Sequence, residues 1–155
     1  MQRAHYAKKP NAKDASKLKV ALVVSQFNSD ITESMLLGAL ETLRAWKVKE
    51  RNISIMRVPG SFEIPLACRT IIKKRKPDAL VALGCVIKGE TKHDEYISNA
   101  LSHGLIRLML DYGVPIGFGV ITPNNLAQAK ARSRGKANKG IEATLSALEM
   151  ALAVH

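Results

Sequence analysis

The sequence predicts an α/β domain, a doubly wound parallel sheet of four strands in the order 2-1-3-4 with helices on both faces. Three observations lead there. Short apolar, β-branched runs recur at 18–25, 53–58, 79–86 and 114–122. Amphipathic stretches with apolar residues at helical spacing separate them. Each connection is long enough for a crossover, which parallel strands need and hairpins do not.

The elements follow in order. Residues 1–17 are polar, basic and aperiodic, and read as a flexible N-terminal arm ahead of one domain over 18–155. The run 18–25 suits a central strand buried on both faces. Ser29 or Asp30 can cap a helix through Trp46, with Ile31, Met35, Ala39, Leu40 and Leu43 on one face. The second strand, 53–58, stops at Pro59-Gly60. A helix over 62–74 tolerates Pro65 only because it falls in the first turn. The third strand is 79–86, and a long amphipathic helix over 93–112 is closed by Gly113 and Pro115. The fourth strand is 114–122, and Asn124 or Asn125 caps a short helix to about residue 132. Asn138 or Lys139 opens a last helix to the C-terminus. The whole is flavodoxin-like, with its switch point between strands one and three.

Composition narrows the function classes. At 155 residues the chain suits one domain, and 46% hydrophobic against 5% aromatic residues implies an aliphatic core. No apolar run nears the ~20 residues of a membrane span, and the first 19 residues lack a signal peptide's apolar centre. Cys68 and Cys85 fit reduced cytoplasmic thiols. Four scattered histidines without CxxC or HExxH spacing argue against a metal site. The net charge of +11 permits non-specific attraction to nucleic acid. The charge lies in an N-terminal group, in the block 73–76 and in the segment 130–139, and no aromatics are interleaved for base stacking. No membrane and no specific nucleic-acid partner is expected.

In a parallel sheet the residues after each strand converge on one edge, where ligands bind. Here those are Gln26-Phe27-Asn28, Gly60-Ser61-Phe62-Glu63, the segment 85–93 and the segment 122–125. Phe27 is either a core residue or a platform for a flat heterocycle. Asn28 suits a helix cap. Glu63 meets a helix dipole favourably or accepts hydroxyls of a polyol. Gly89-Glu90-Thr91 precedes a helix, so its amides can face an anion, although it is neither a P-loop nor a dinucleotide fingerprint. His93 stands beside it as a group able to move protons near neutral pH. Gly117-Phe118-Gly119 falls inside a strand, where glycines permit close backbone approach.

Taken together, Phe27-Asn28, VPGSFEIPLA (58–67), ALGCVIKGETKHDEYIS (82–98), PIGFGVIT (115–122) and NKGIEATLSALEMA (138–151) closely resemble the lumazine synthase family. The resemblance spans about 18–154. It implies a transferase without metal or organic cofactor, acting at the penultimate step of riboflavin biosynthesis. Its substrates are 5-amino-6-ribitylaminouracil and 3,4-dihydroxy-2-butanone 4-phosphate. The product is 6,7-dimethyl-8-ribityllumazine, with loss of phosphate and water.

The resemblance also implies roles. Phe27 stacks on the pyrimidinedione, and Ser61, Cys85, Val86 and Ile87 lie along the ring. Asn28, Phe62 and Glu63 line the ribityl side. Gly89, Glu90, Thr91 and Arg132 bind phosphate, and His93 is the acid/base group. Phe118, Arg132 and Lys139 serve the site of a neighbouring subunit. The assembly implied is a homopentamer, in many members built into a sixty-subunit icosahedral shell, with riboflavin synthase a candidate partner. Lys92 stands where proline or a small residue is usual, and Asp94 where an aromatic is common. The segment between Arg132 and Lys139 is one residue shorter than a common form. Two other readings stay open at this point: a flavin-binding protein that uses Phe27 without catalysis, and a basic shell protein that keeps only the assembly. His93 and Arg132 together favour the enzyme.

Overall fold

A computed structural model describes residues 11–155, and the first ten residues of the expected arm lie outside the described residues. The four strands are β1 (Val20–Ser25), β2 (Ile53–Val58), β3 (Ala79–Cys85) and β4 (Ile116–Ile121). All pair in parallel, in the order β2-β1-β3-β4 expected from the sequence. The helices are α1 (Ser29–Ala45), α2 (Ile64–Arg75), α3 (His93–Tyr112), α4 (Leu126–Ser133) and α5 (Lys139–Val154).

Strand alternation divides the core into two layers. Val20, Leu22, Val24, Val81 and Leu83 pack under α1 and α5 together with the buried Trp46. Ala21, Val23, Leu80, Ala82, Ile116 and Val120 pack under α2 and α3. The central strands β1 and β3 are buried along their whole length, which is why their sequences run apolar without alternation. Two glycines let α5 come close. A Cβ at Gly117 would strike the Ala143 carbonyl, and one at Gly140 would strike the Met35 carbonyl.

Several boundaries move for identifiable reasons. β1 begins at Val20 rather than 18, because Lys19 is held outside the ladder by Asp78: its amide donates to that carboxylate at 2.7 Å and its carbonyl accepts the Asp78 amide at 2.8 Å. Ala15, within the expected arm, is buried, and its amide donates to the Trp46 carbonyl at 2.8 Å. β4 starts after Pro115, which has no N–H for a ladder. The helix expected over 62–74 opens with a separate 3-10 turn, Ser61–Glu63, before α2. α1 begins at Ser29 with Asn28 in the cap position, so neither Ser29 nor Asp30 is the cap.

The register aligns the carboxyl ends. Ser25 lies opposite Val58, and Cys85 opposite Ile121. The loops that follow therefore leave from one edge.

Candidate active site

Asn28 is the hinge of that edge. Its backbone is left-handed at φ 59°, a conformation asparagine tolerates better than most residues. Its side chain makes no cap hydrogen bond. Instead Nδ2 donates to the Cys85 carbonyl at 3.0 Å, tying the loop after β1 to the end of β3. The Phe27 amide donates to the Pro59 carbonyl at 3.0 Å, which binds the same loop to the one after β2. Beyond β3, the Val86 and Lys88 amides donate to the Ile121 and Pro123 carbonyls, both at 2.9 Å. These bonds tie together the segments that follow all four strands, around a common space.

That space is a cavity of about 830 Å³. Phe27, Asn28, Ser61, Phe62, Glu63, Cys85, Val86, Ile87, Gly89, Thr91 and His93 all line it. Phe27 and Phe62 remain 73% and 59% exposed, so two phenyl rings face water at its mouth. Rings left open at a concave site are suited to cover by a flat apolar ligand. The Glu63 carboxylate accepts the Gly60 amide at 3.0 Å, and the Gly60 carbonyl accepts the Glu63 amide at 3.3 Å, which fixes one carboxylate oxygen and leaves the other for a ligand. A Cβ at Gly84 would come within 2.5 Å of the Ser61 hydroxyl, so glycine here gives that serine its room.

The loop before α3 has the features of an anion cradle. The amides of Gly89, Glu90 and Thr91 donate to no group among the described residues. A Cβ at Gly89 would meet nothing within 4 Å, so a ligand can approach the backbone there. The Thr91 hydroxyl accepts the His93 amide at 3.4 Å and so stands over the first turn of α3. Helix polarity favours negative charge at this point. His93 follows directly, exposed on the cavity wall. Burial pushes the Cys85 thiol up to about 11, so it lines the cavity as a neutral, unreactive wall.

Comparison with known proteins shows the family of the chain. The family model described as 6,7-dimethyl-8-ribityllumazine synthase matches residues 17–155. A relative of that name from Kosmotoga olearia is 47% identical over 135 residues, covering 86% of either chain. The chain belongs to the 6,7-dimethyl-8-ribityllumazine synthase family. The flavodoxin-like α/β fold is the fold of that family.

Within the single chain, four of the family-derived positions do not line the cavity: Glu90, Phe118, Arg132 and Lys139. Phe118 projects from the edge strand β4 and is 46% exposed. The Arg132 guanidinium donates from Nη1 to the Gln128 carbonyl of its own helix at 3.3 Å. Lys139 is paired with Glu142 at 2.8 Å. Conversely, the cavity includes Asp94, Tyr96, Ile97 and Ala100, which sequence reasoning gave no binding role. The signal was available: His93, Tyr96, Ile97 and Ala100 are spaced by three and four, one face of α3. Among the described residues no three His, Cys, Asp or Glu side chains gather as a metal site. No described helix is long and apolar enough to cross a membrane.

Proposed function

We propose that the cavity beside Phe27 is where this chain condenses 5-amino-6-ribitylaminouracil with 3,4-dihydroxy-2-butanone 4-phosphate. The product is 6,7-dimethyl-8-ribityllumazine, and phosphate and water leave. This is the lumazine-forming step of riboflavin biosynthesis, and it makes the chain a transferase. The observation that carries the assignment of roles is one cavity holding exposed aromatic rings, a carboxylate with one free oxygen, amides without a partner among the described residues and an imidazole.

Phe27 stacks against the pyrimidinedione, with Val86 and Ile87 along the opposite side and Ser61 and Cys85 at the floor. Asn28, Phe62 and Glu63 hold the ribityl chain, Glu63 through the carboxylate oxygen that its cap leaves free. Gly89, Glu90 and Thr91 take the phosphate of the ketone through backbone amides and the threonine hydroxyl. The two substrates then lie on either side of His93. Condensation of the 5-amino group with the ketone needs protons moved to the departing water. Loss of phosphate needs a proton taken from carbon as the C–O bond breaks. One imidazole beside both centres can serve each transfer in turn. Binding both partners in fixed orientation supplies much of the acceleration.

A neighbouring copy completes the site. Phe118 and Arg132 are exposed and do not line their own cavity, and no arginine among the described residues lines it beside the phosphate loop. Arg132 from the next subunit supplies a planar fork for phosphate, Phe118 closes over the ring and Lys139 lies near it. The assembly is a homopentamer of the family type, in the cytoplasm. Supplying both substrates to the purified chain and following lumazine absorbance with phosphate release tests the function. Phosphate release without the lumazine chromophore, or neither signal, overturns it.

A further inference from the structure

The described residues hold a second hollow at the opposite edge of the sheet, where β1 and β2 begin and α2 ends. Its volume is about 190 Å³, and its polar lining is Lys19, Arg51, Asn52, Ser54 and Arg75. Topology makes the gathering. Lys19 precedes β1, Arg51 and Asn52 form the 3-10 turn that leads into β2, and Arg75 closes α2. Because β2 and β1 are neighbours, three loops distant in sequence bring three cations to one place.

Every polar lining residue can donate a hydrogen bond, and none is an acid. Lys19, Arg51 and Arg75 form no ion pair among the described residues. The acids nearest in sequence, Glu50 and Asp78, are not in the lining. Asp78 is already engaged, accepting the Lys19 amide at 2.7 Å and facing His155 Nε2 at 3.5 Å. Lys73, Lys74 and Lys76 flank Arg75 and add to the positive field. Like charges around a hollow repel one another, and an anion placed between them removes that cost.

Shape narrows the anion. The hollow equals the liquid share of about six waters, enough for a phosphate and a short tail but not a nucleotide. No aromatic residue lines it, so nothing there stacks a base. Two guanidinium forks suit the tetrahedral oxygens of phosphate better than a single carboxylate. We propose that this hollow is a second phosphate site, taking inorganic phosphate or a small phosphomonoester through Arg51, Arg75 and Lys19. It stands apart from the loop at Gly89–Thr91, on the other edge of the sheet, and does not depend on the roles assigned there.

The test is a ³¹P NMR titration of inorganic phosphate against the full chain at low ionic strength, where exposed cations are least screened. Arg51→Gln/Arg75→Gln should weaken one class of phosphate binding about tenfold and leave turnover with both substrates unchanged. Arg132→Ala should leave that class intact. Arg51→Lys/Arg75→Lys keeps the charge but loses the forks; it should bind between the wild type and the glutamine variant, and it guards against misfolding of the latter. Glycerol 3-phosphate competing for the same class assigns the site to phosphomonoesters as well as to inorganic phosphate. Equal phosphate binding in the wild type and the glutamine variant overturns the proposal. So does an oligothymidylate that binds through Arg51 and Arg75 where inorganic phosphate does not.

Discussion

The side-chain amide of Asn28 reaches the carbonyl of Cys85 at 3.0 Å, so a residue from the loop after β1 holds the end of β3 in place. Its residue type suits a helix cap, and in the fold Asn28 takes the cap position of α1. Its backbone does accept the first helical amides, from Ile31 and Thr32, at 3.0 and 3.1 Å. The side chain is spent elsewhere, on tying the loop that carries Phe27 to the cavity wall Cys85-Val86-Ile87. A helix cap and a cavity strut are thus combined in one residue.

Asn28→Ala should therefore be costly twice. Alanine is disfavoured at φ 59°, and the Cys85 carbonyl loses its donor. Together these amount to about 2 kcal/mol. Asn28→Gly keeps the backbone at ease and removes only the tie. In urea melts the glycine variant should be the more stable of the two. In steady-state assays both should show a raised KM for the ribityl-pyrimidine. A normal KM in the glycine variant would mean that the tie does not shape the site.

His93→Ala separates chemistry from binding. His93 lines the cavity but is exposed and its ring holds no hydrogen bond among the described residues, so its removal leaves the wall standing. Turnover should fall by about a hundredfold or more, the scale of a lost general acid/base. The dissociation constant of the ribityl-pyrimidine, measured by fluorescence titration, should move little. Equal loss in both measurements contradicts the proton-transfer role.

The two thiols predict a stability change in alkali. Burial pushes Cys68 up to about 12 and Cys85 up to about 11, from an ordinary 9.0. Below 9 both states keep their thiol protons, and the contribution is whole. As pH rises past 9 the unfolded chain releases them and the native chain does not, so stability falls until the native thiols titrate in turn. The slope per thiol is about 1.4 kcal/mol for each pH unit in that window. Urea midpoints between pH 8 and 10.5 should decline less steeply in Cys68→Ala than in the wild type. Parallel slopes would show that Cys68 contributes nothing to the decline.

How far the sequence carries depends on where each signal arises. β2 and α3 are read to the residue because Pro59-Gly60 and Gly113 punctuate them locally. The topology follows from alternation alone, and with it the edge at which Phe27, Glu63 and His93 meet. What local pattern misses is set by tertiary partners. Asp78 keeps Lys19 out of β1, and Cys85 diverts the Asn28 side chain from its cap. Tyr96 and Ile97 fall within the amphipathic pattern of 93–112, where periodicity marks a face without saying whether core or ligand covers it. Phe118, Arg132 and Lys139 enter through family resemblance, since nothing in a single chain's spacing would mark a surface meant for another copy.

Those last residues give the sharpest test. Each proposed site needs the His93 loop of one subunit and Arg132 of the next. A pure His93→Ala pentamer lacks every loop, and a pure Arg132→Ala pentamer lacks every fork. In a random one-to-one mixture, half the loops are intact and half of their neighbours supply the arginine. About a quarter of the sites are then complete, given closed cyclic symmetry with heterologous contacts. Co-expressing the two variants under different tags and isolating doubly tagged pentamers provides the material. Activity should return to roughly that quarter of the wild type. Mixed pentamers as inactive as the parents would confine the site to one chain, and Arg132 would then need another role.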